Sequence, residues 1–357
     1  MKTLLEWIKY NRGELANDKA FEPLRMIIRG AAGTGKSVLI NTTVTVIRKL
    51  FVDNDAVHVM APTGAAAFNV LGETIHRMLG INIWDADKEL SGAAKKRMSG
   101  KLARTVALIF DERSMISQDI LGAAETNASA TAHGMGHDNE DWGGIPIILM
   151  FGDDYQLPPS MSSGAFDTVS VSPRLGAKGT GARSNGCQQF LKFSTNKMEL
   201  TLQKRQHDEQ TFFKEFLDST RFGKVTPEQA DEIEHLHMNM YTPEEQKQIM
   251  DNPSTMFLFA NKIPMYEHNF NKIGEVCSEE NPAACIKAKT TGHKKKAVSS
   301  HFDEDSTPST TLMCRDCKVQ ICGKNFRPEW GLFNGAIGVG RTKTKMMATS
   351  PNISLSN

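Results

Sequence analysis

The segment GAAGTGKS, residues 30–37, constrains the fold of this chain more than any other part of the sequence. It matches G-x-x-x-x-G-K-[ST] at every defined position and lies between the apolar run MII and the helical pattern SVLINTTVTVIRKLF. A glycine-rich turn between a buried strand and a helix is the setting in which this pattern holds phosphates. The sequence therefore predicts a phosphate loop in an α/β domain.

The residue types in this loop indicate its chemistry. Glycines allow backbone N–H groups to turn toward phosphate oxygens, and the helix N-terminus adds the positive end of its dipole. Lys36 is expected to reach the β and γ phosphates, and Ser37 to ligate Mg²⁺. The predicted cofactors are ATP and Mg²⁺. The predicted nucleotide-binding residues are Gly30, Gly33, Thr34, Gly35, Lys36 and Ser37.

Short apolar runs alternate with helical patterns through the first half of the chain. The runs are RMIIRG, AVHVMAPTG, VALIFDE and IPIILMFGD. Buried strands separated by helices are typical of a parallel sheet that is covered on both faces. Each run ends in a polar or glycine-containing turn, which is where open α/β sheets bind their ligands.

Two of these strand ends carry candidate catalytic residues. VALIFDE ends in Asp111 and Glu112. Asp111 is predicted to hold Mg²⁺ directly or through water, and Glu112 to orient or deprotonate the attacking water. In GDDYQLPP, Gln156 is placed to sense the γ-phosphate or that water. An acidic strand end or a surface turn is common in isolation, so the phosphate loop is what favours these interpretations.

Several segments, in this order, resemble the successive motifs of the Pif-type DNA helicases, in the RecD-like, 5′-to-3′ branch of helicase superfamily one. They are GAAGTGKS, APTGAAAFNVLGETIHRML, LIFDERSM, FGDDYQLPP, LTLQKRQHDEQTF, FLFANK and GLFNGAIGVG. The resemblance implies a P-loop NTPase with tandem RecA-like domains and parallel sheets. It also implies ATP hydrolysis coupled to movement along single-stranded DNA, with roles in repair, recombination, telomere or genome maintenance.

The resemblance assigns further residues. Thr63 and His76 resemble positions that touch the backbone of single-stranded DNA, and Arg205 resembles an arginine that the second motor domain points at the γ-phosphate. The implied catalytic residues are Glu112, Gln156 and Arg205. The alternatives are a helix-capping hydroxyl for Thr63, a packed helix histidine for His76 and a surface arginine for Arg205.

Two residues depart from the family pattern. Arg113 follows the acidic pair where the family usually has an apolar residue, and Asp154 replaces a commoner apolar or small residue. An arginine beside a catalytic carboxylate can pair with that carboxylate or point to solvent. The sequence leaves both possibilities open.

The predicted domains are a RecA-like ATPase domain at 1–199, a partial second RecA-like domain at 200–340 and a disordered tail at 341–357. The second domain is expected to be incomplete because the T-x-H-K-S-Q-G and A-L-S-R motifs of the family are absent from the sequence. A weakly active nucleotide- and DNA-binding remnant, or a non-translocating P-loop ATPase, is therefore the alternative to a helicase. We expect slow hydrolysis and no unwinding from this chain alone.

Two polar segments interrupt the first domain. The insertion at 79–104 contains Lys95, Lys96, Arg97 and Lys101, and is either a solvated helix and loop or an arm that faces nucleic acid. The stretch that starts near Ser162 and includes SVSPRLGAKGTGARSNG is expected to be a flexible surface segment.

Charge and cysteine content narrow the class of protein only slightly. The 42 Lys and Arg residues nearly balance the 41 Asp and Glu residues, so a nucleic-acid surface would be a local groove. No apolar run approaches the ~20 residues of a membrane span, and charges interrupt the N-terminus where a signal peptide would have its apolar core, so we expect an intracellular protein. The family resemblance implies a nuclear or mitochondrial location if the protein is eukaryotic. The trio Cys314, Cys317 and Cys322 suggests either zinc ligands or ordinary cysteines. The sequence does not indicate protein partners.

Overall fold

The computed structural model describes residues 23–82, 85–132, 140–159, 180–206, 209–252, 255–287, 310–321, 326–327 and 330–341. The chain divides into two compact units, Met1–Gly223 and Lys224–Asn357. The domain limits predicted from the sequence stay predictions, and residues 342–357 of the predicted tail lie outside the described residues.

The first unit is built on a parallel sheet. Its described strands are β1 (Leu24–Gly30), β2 (Val57–Ala61), β3 (Glu73–Thr74), β4 (Ala107–Phe110), β5 (Ile147–Gly152) and β6 (Lys197–Leu200). They lie in the order β3-β2-β4-β5-β1-β6, and every neighbouring pair is parallel. The α/β fold predicted from the alternating runs is confirmed for this unit. The strand order places the carboxyl ends of β4, β5 and β1 side by side.

Helices cover both faces of this sheet. They are α1 (Lys36–Phe51), α2 (Gly64–Asn69), α3 (Ile75–Met78), α4 (Gly92–Leu102), α5 (Gln118–Ala132) and α6 (Thr180–Phe193), and α7 (Thr211–Arg221) follows β6 in the chain. Neighbouring strand residues such as Ile27 and Ile28 belong to different core clusters, because successive side chains point to opposite faces. One cluster includes Ile40 and Ile47 of α1, and the other includes residues of α4, α5 and α6.

Helix α4 falls within the predicted polar insertion and is anchored in the core. Its residues Met98 and Leu102 are buried with one of the two core clusters. Lys101 forms an ion pair with Glu73 at 2.8 Å, whereas Lys96 and Arg97 are exposed. The insertion therefore has a packed face and a basic exposed face.

The expectation that the stretch through TGARSNG is a flexible surface segment is wrong for its second part. Residues from Thr180 onward form α6, which packs closely on α5. A Cβ on Gly122 would lie 1.7 Å from the carbonyl oxygen of Ala182, and a Cβ on Gly186 would lie 1.8 Å from that of Gln118. The glycines that suggested a loop instead let two helix backbones approach each other. Residues 160–179 of the stretch lie outside the described residues.

The second unit contains short helices and two described strand pairs. Its elements are α8 (Pro227–Glu234), α9 (Pro243–Asp251), α10 (Lys262–Val276), β7 (Ala284–Lys287), β8 (Thr310–Met313), β9 (Lys318–Gln320) and β10 (Ile337–Val339). Thr226 and Thr242 begin α8 and α9 with capping boxes, each followed by proline. The pairs β7–β8 and β9–β10 are antiparallel, unlike the parallel sheet expected for this part of the chain.

Among the described residues, no helix has both the length and the apolar character that crossing a bilayer requires.

Candidate nucleotide site

The phosphate loop connects β1 to α1 through backbone conformations that favour glycine. Gly33 and Gly35 have φ angles of 82° and 89°. The hydroxyl of Thr34 donates to the carbonyl oxygen of Ala31 at 2.9 Å, and a Cβ on Gly30 would lie only 2.3 Å from that hydroxyl oxygen. Gly35 has open space where its Cβ would point, and it provides no side-chain cap to α1. The loop thus presents backbone and the start of a helix, which is the arrangement that receives phosphate.

Lys36 folds back over this loop. Its Nζ donates to the carbonyl oxygens of Gly30 at 2.8 Å and Ala31 at 3.1 Å. Burial lowers the pKa of Lys36 from its ordinary value, and the nearby carboxylates of Asp153, Glu112 and Asp111 oppose that shift. The carboxylates at the ends of β4 and β5 therefore act electrostatically on this ammonium.

Asp111 and Glu112 immediately follow β4, as the sequence predicts. Asp111 is 6% exposed, and its backbone N–H donates to the carbonyl oxygen of Met60 at 2.8 Å. Its Oδ1 has no hydrogen-bond partner among the described residues. Burial raises the pKa of Asp111, with Lys36 acting in the opposite direction. A buried carboxylate oxygen beside the phosphate loop fits the predicted magnesium ligand, together with the exposed Ser37 at the start of α1.

Glu112 has a left-handed backbone conformation, with φ 51° and ψ 49°. Such a conformation in a residue other than glycine costs of order 1 kcal/mol and is held by its surroundings. Burial raises the pKa of Glu112, and the neighbouring charge of Asp111 raises it further. The carboxyl is therefore a stronger base than an exposed glutamate, which suits the proton acceptor predicted at this position.

Asp153 is a residue of the site that the sequence motifs do not predict. Asp153 follows β5 and is 4% exposed, and its Oδ1 accepts hydrogen bonds from the Tyr155 backbone N–H at 3.1 Å and from Arg221 at 2.6 Å. The guanidinium of Arg221 also lies over the ring of Tyr155, 4.7 Å from its centroid. The position of Asp153 at the end of a predicted strand could have indicated a role in the site. Only the strand order β4-β5-β1, however, brings this residue near Lys36.

Gln156 lies on the turn that leaves β5. Its side chain is exposed, and its backbone N–H donates to the carbonyl oxygen of Asp153 at 3.2 Å. Its role toward a γ-phosphate stays a prediction.

Arg205 lies against the phosphate loop within the first unit. The backbone N–H of Lys204 donates to the carbonyl oxygen of Gly33 at 2.8 Å, and a Cβ on Gly33 would lie 2.6 Å from the Cβ of Arg205. The positive charge of Arg205 also contributes to the lowered pKa of Lys36. The arginine is exposed and belongs to the segment that follows β6.

Arg113 follows neither of the two possibilities that the sequence left open. It is fully buried, and its guanidinium forms an ion pair with Asp154 rather than with Asp111 or Glu112. Burial, with a smaller contribution from the nearby Arg29, lowers the pKa of Arg113 to about 10. The two residues that depart from the family pattern are therefore each other's partners.

Thr63 and His76 follow β2 and β3, away from the phosphate loop in the order of strands. The hydroxyl oxygen of Thr63 accepts a hydrogen bond from the Ala66 N–H at 3.2 Å and caps α2. His76 is partly buried on α3, and burial lowers its pKa below the ordinary value. The capping role considered for Thr63 is therefore present, and the DNA contacts of both residues stay predictions.

The sequence left open whether the cysteines of the second unit bind zinc. Cys314 and Cys317 are buried, and burial, together with the neighbouring Cys277 and Cys317, raises the pKa of Cys314 to about 12. Among the described residues, no group of three or more metal-binding side chains is placed to hold a metal ion. Cys322 lies outside the described residues.

The phosphate loop, the acidic end of β4 and the neighbouring end of β5 define a P-loop nucleotide-binding domain. A family model described as "PIF1-like helicase" matches residues 17–231, more than half of the chain. The chain belongs to the PIF1-like helicase family.

Sequence identity to individual helicases supports this assignment to the family. The chain is 31% identical over 258 residues to ATP-dependent DNA helicase Pif1 of Bdellovibrio bacteriovorus, covering 71% of this chain and 51% of that protein. It is 28% identical over 314 residues to ATP-dependent DNA helicase RRM3 of Saccharomyces cerevisiae, covering 87% of this chain and 39% of that protein. The chain thus spans about half the length of the first relative and less of the second.

A solved structure shows the same fold. The crystal structure of Pif1 helicase from Bacteroides in complex with ADP-AlF3 and single-stranded DNA matches with a TM-score of 0.54 and 19% identity. The match covers 95% of this chain and 70% of that one.

Proposed function

We propose that this chain binds ATP with Mg²⁺ and hydrolyses it, and that hydrolysis drives 5′-to-3′ movement along single-stranded DNA. The observation that carries the proposal is the convergence of Lys36, Asp111, Glu112 and Asp153 at the ends of the adjacent strands β4, β5 and β1. Family membership and the nucleotide and DNA bound to the Bacteroides relative support the same conclusion.

The residues of the phosphate loop would hold the nucleotide. Backbone N–H groups at the start of α1 receive the phosphate oxygens, and Lys36 exchanges its carbonyl partners Gly30 and Ala31 for the β and γ phosphates. Ser37 and Asp111 would hold Mg²⁺, which neutralises charge on the phosphates when bound. Glu112 accepts a proton from the attacking water.

Two exposed residues would complete the site around the γ-phosphate. Gln156 lies in the turn after β5, where its N–H donates to the Asp153 carbonyl oxygen. Contact of its side chain with the γ-phosphate would change the position of the loop that follows. Arg205 presents a permanent planar cation beside Gly33 and would stabilise the charge that develops during phosphoryl transfer.

The proposed DNA contacts involve the backbone of the strand. The Thr63 hydroxyl accepts a hydrogen bond from α2 and keeps its own hydrogen to donate to a phosphate oxygen. The lowered pKa of His76 leaves that side chain neutral at pH 7, so it would act by hydrogen bonding rather than by charge. Exposed Lys96 and Arg97 on α4 would add sequence-independent attraction. Binding of single strands should therefore weaken with salt and depend little on base sequence.

DNA-stimulated ATP hydrolysis tests this function and separates it from the two alternatives. Stimulation by single-stranded DNA, lost in Lys36→Ala, supports a DNA-dependent motor. Hydrolysis without stimulation indicates a P-loop ATPase that does not translocate. Binding of ATP and DNA without turnover indicates a non-catalytic remnant. Where DNA does stimulate hydrolysis, an unwinding assay on a 5′-tailed duplex shows whether hydrolysis is converted into strand separation.

A further inference from the structure

The Arg113–Asp154 pair belongs to a cluster of three charged residues that connects the three strand ends of the nucleotide site. Asp154 receives Arg113 on Oδ1 and the Nε of Arg29 on Oδ2, the latter at 3.1 Å. We name Arg29, Arg113 and Asp154 the strand-end cluster. One carboxylate therefore joins a residue of β1 to a residue of the turn after β4.

Each member of the cluster lies within two residues of a residue that the proposed chemistry uses. Arg29 precedes Gly30, whose carbonyl oxygen accepts from Lys36. Arg113 follows Glu112, and Asp154 lies two positions before Gln156. A shift of any one of these backbone segments moves a catalytic group with it.

The contact between the β4 and β5 ends is close enough to transmit such a shift. A Cβ on Gly152 would lie 2.8 Å from both the backbone nitrogen and the Cβ of Arg113. Arg113 is fully buried, and its guanidinium also lies 5.9 Å from the centroid of the Phe190 ring on α6. Arg113 is thus held by the end of β5 on one side and by α6 on another.

The backbone of Glu112 gives this packing a functional consequence. Glu112 has φ 51°, a conformation that its surroundings must hold in place, and its C-terminal neighbour is the buried Arg113. An ion pair that anchors Arg113 therefore also holds the backbone of Glu112, and with it the direction of the Glu112 carboxyl.

We propose that the strand-end cluster positions Glu112 and Gln156 for ATP hydrolysis, and that Arg113 and Asp154 act as an obligate pair in which neither residue functions without the other. The inference rests on the proposed ATP hydrolysis. Arg113, Asp154 and Arg29 are positioning residues, since they act through Glu112 and Gln156.

The pair is tested by a double-mutant cycle of Arg113→Met, Asp154→Leu and the double variant. Asp154→Leu leaves the buried Arg113 without this carboxylate, Arg113→Met leaves Asp154 with Arg29 alone, and the double variant replaces both residues by apolar side chains. We expect each single variant to lower kcat about tenfold or more, with KM for ATP and nucleotide affinity within about threefold of the parent. The double variant should recover kcat to within several-fold of the parent, because it still lacks the link between Arg29 and Asp154. Unchanged kcat in the single variants, or a double variant as impaired as the worse single variant, overturns the proposal.

Arg25→Met is the matched control for loss of a buried arginine. Arg25 is 7% exposed, its pKa is also lowered to about 10 by burial, and it donates to the Pro146 carbonyl at the opposite end of β1. Its loss should lower the melting temperature but leave kcat per folded molecule unchanged. An equal loss of kcat in this control would mean that general destabilisation explains the effect, and it would overturn the proposal.

If Arg113→Met or Asp154→Leu fails to fold, Arg29→Gln tests the positioning role of the strand-end cluster instead. Its side chain is 40% exposed, so water can solvate the groups that it leaves. We expect a folded protein with a several-fold lower kcat, and an unchanged kcat overturns the proposal. Single-turnover hydrolysis by the parent distinguishes this failure from failure of the proposed function, because a parent that neither binds nor hydrolyses ATP overturns both.

Discussion

Gly33 of the phosphate loop and Arg205 of the segment after β6 are in direct contact, such that a Cβ on Gly33 would lie 2.6 Å from the Cβ of Arg205. Gly33 also has a φ of 82°, and its carbonyl oxygen accepts from the N–H of Lys204 at 2.8 Å. The shape of the phosphate loop and the position of the candidate arginine therefore depend on the same glycine.

Gly33→Ala should weaken both folding and ATP binding. The left-handed conformation and the short contact together should lower the free energy of unfolding by about 1–3 kcal/mol. Gly100→Ala is the control, because Gly100 lies in α4 with no atom near its Cβ position and should gain about 0.5–1 kcal/mol in helix propensity. Denaturant unfolding and nucleotide titration measure the two effects. An ATP affinity equal to that of the parent would contradict the assigned loop.

Lys36→Ala should abolish ATP binding, and the affinity of the parent should fall as pH rises. The pKa of Lys36 is lowered from its ordinary value of 10.5 by burial, so the ammonium loses its proton at a lower pH than an exposed lysine does. In Lys36→Arg the charge persists at high pH, so any remaining affinity should not show the alkaline decrease. Titrations across the alkaline range test this, and equal affinities for Lys36→Ala and the parent would disprove the role.

Glu112→Gln should retain ATP binding and lose about 10²-fold or more in turnover, because the amide keeps the shape but not the base. In the parent, the raised pKa of Glu112 should place the acid limb of the kcat profile above pH 4.5, the ordinary value for a glutamate. Single-turnover hydrolysis across pH measures both. Undiminished hydrolysis by the variant would assign the base to another residue.

The same substitution has a defined effect on stability. A carboxyl whose pKa is raised in the folded state binds more protons there than in the unfolded chain, so its stabilising contribution is present below pH 4.5 and is lost as pH rises through the folded-state pKa. Glu112→Gln should therefore be at least as stable as the parent at pH 7. A lower melting temperature at that pH would contradict the burial of this charge.

Arg221→Gln should destabilise the first unit by up to about 3 kcal/mol, because it leaves the nearly buried Asp153 carboxylate without its 2.6 Å partner. Arg104→Gln removes an arginine that is 64% exposed and pairs with Asp53 and Asp55, and it should change stability by less than about 1 kcal/mol. Denaturant unfolding compares the two. Equal effects would show that Asp153 does not depend on Arg221.

Gln156→Ala should weaken the stimulation of hydrolysis by DNA more than it weakens ATP affinity. Its side chain is exposed, so stability should change by no more than about 0.5 kcal/mol. Hydrolysis rates with and without single-stranded DNA measure the coupling. Normal stimulation in the variant would remove Gln156 from the proposed mechanism.

The local sequence pattern was sufficient to predict the phosphate loop and the strands around it. GAAGTGKS requires glycine conformations that a strand-to-helix turn provides, and the five-residue apolar run before Asp111 is too short for a buried helix. The same local logic failed for α6, where Gly186 suggested a loop but serves close packing against Gln118 of another helix. Glycine signals backbone freedom, and a sequence does not show whether a turn or a neighbouring helix uses it.

The sequence by itself determined the strand-loop-helix unit, the acidic residues at the end of β4 and the parallel α/β class, because each depends on residues close together in the chain. Only the tertiary structure decided that Arg113 pairs with Asp154, that Asp153 pairs with Arg221, and that Arg205 lies on Gly33. These contacts join residues that are far apart in sequence. They form because the order β4-β5-β1-β6 places three strand ends and the exit from β6 side by side, and that order follows from the packing of whole helices against the sheet.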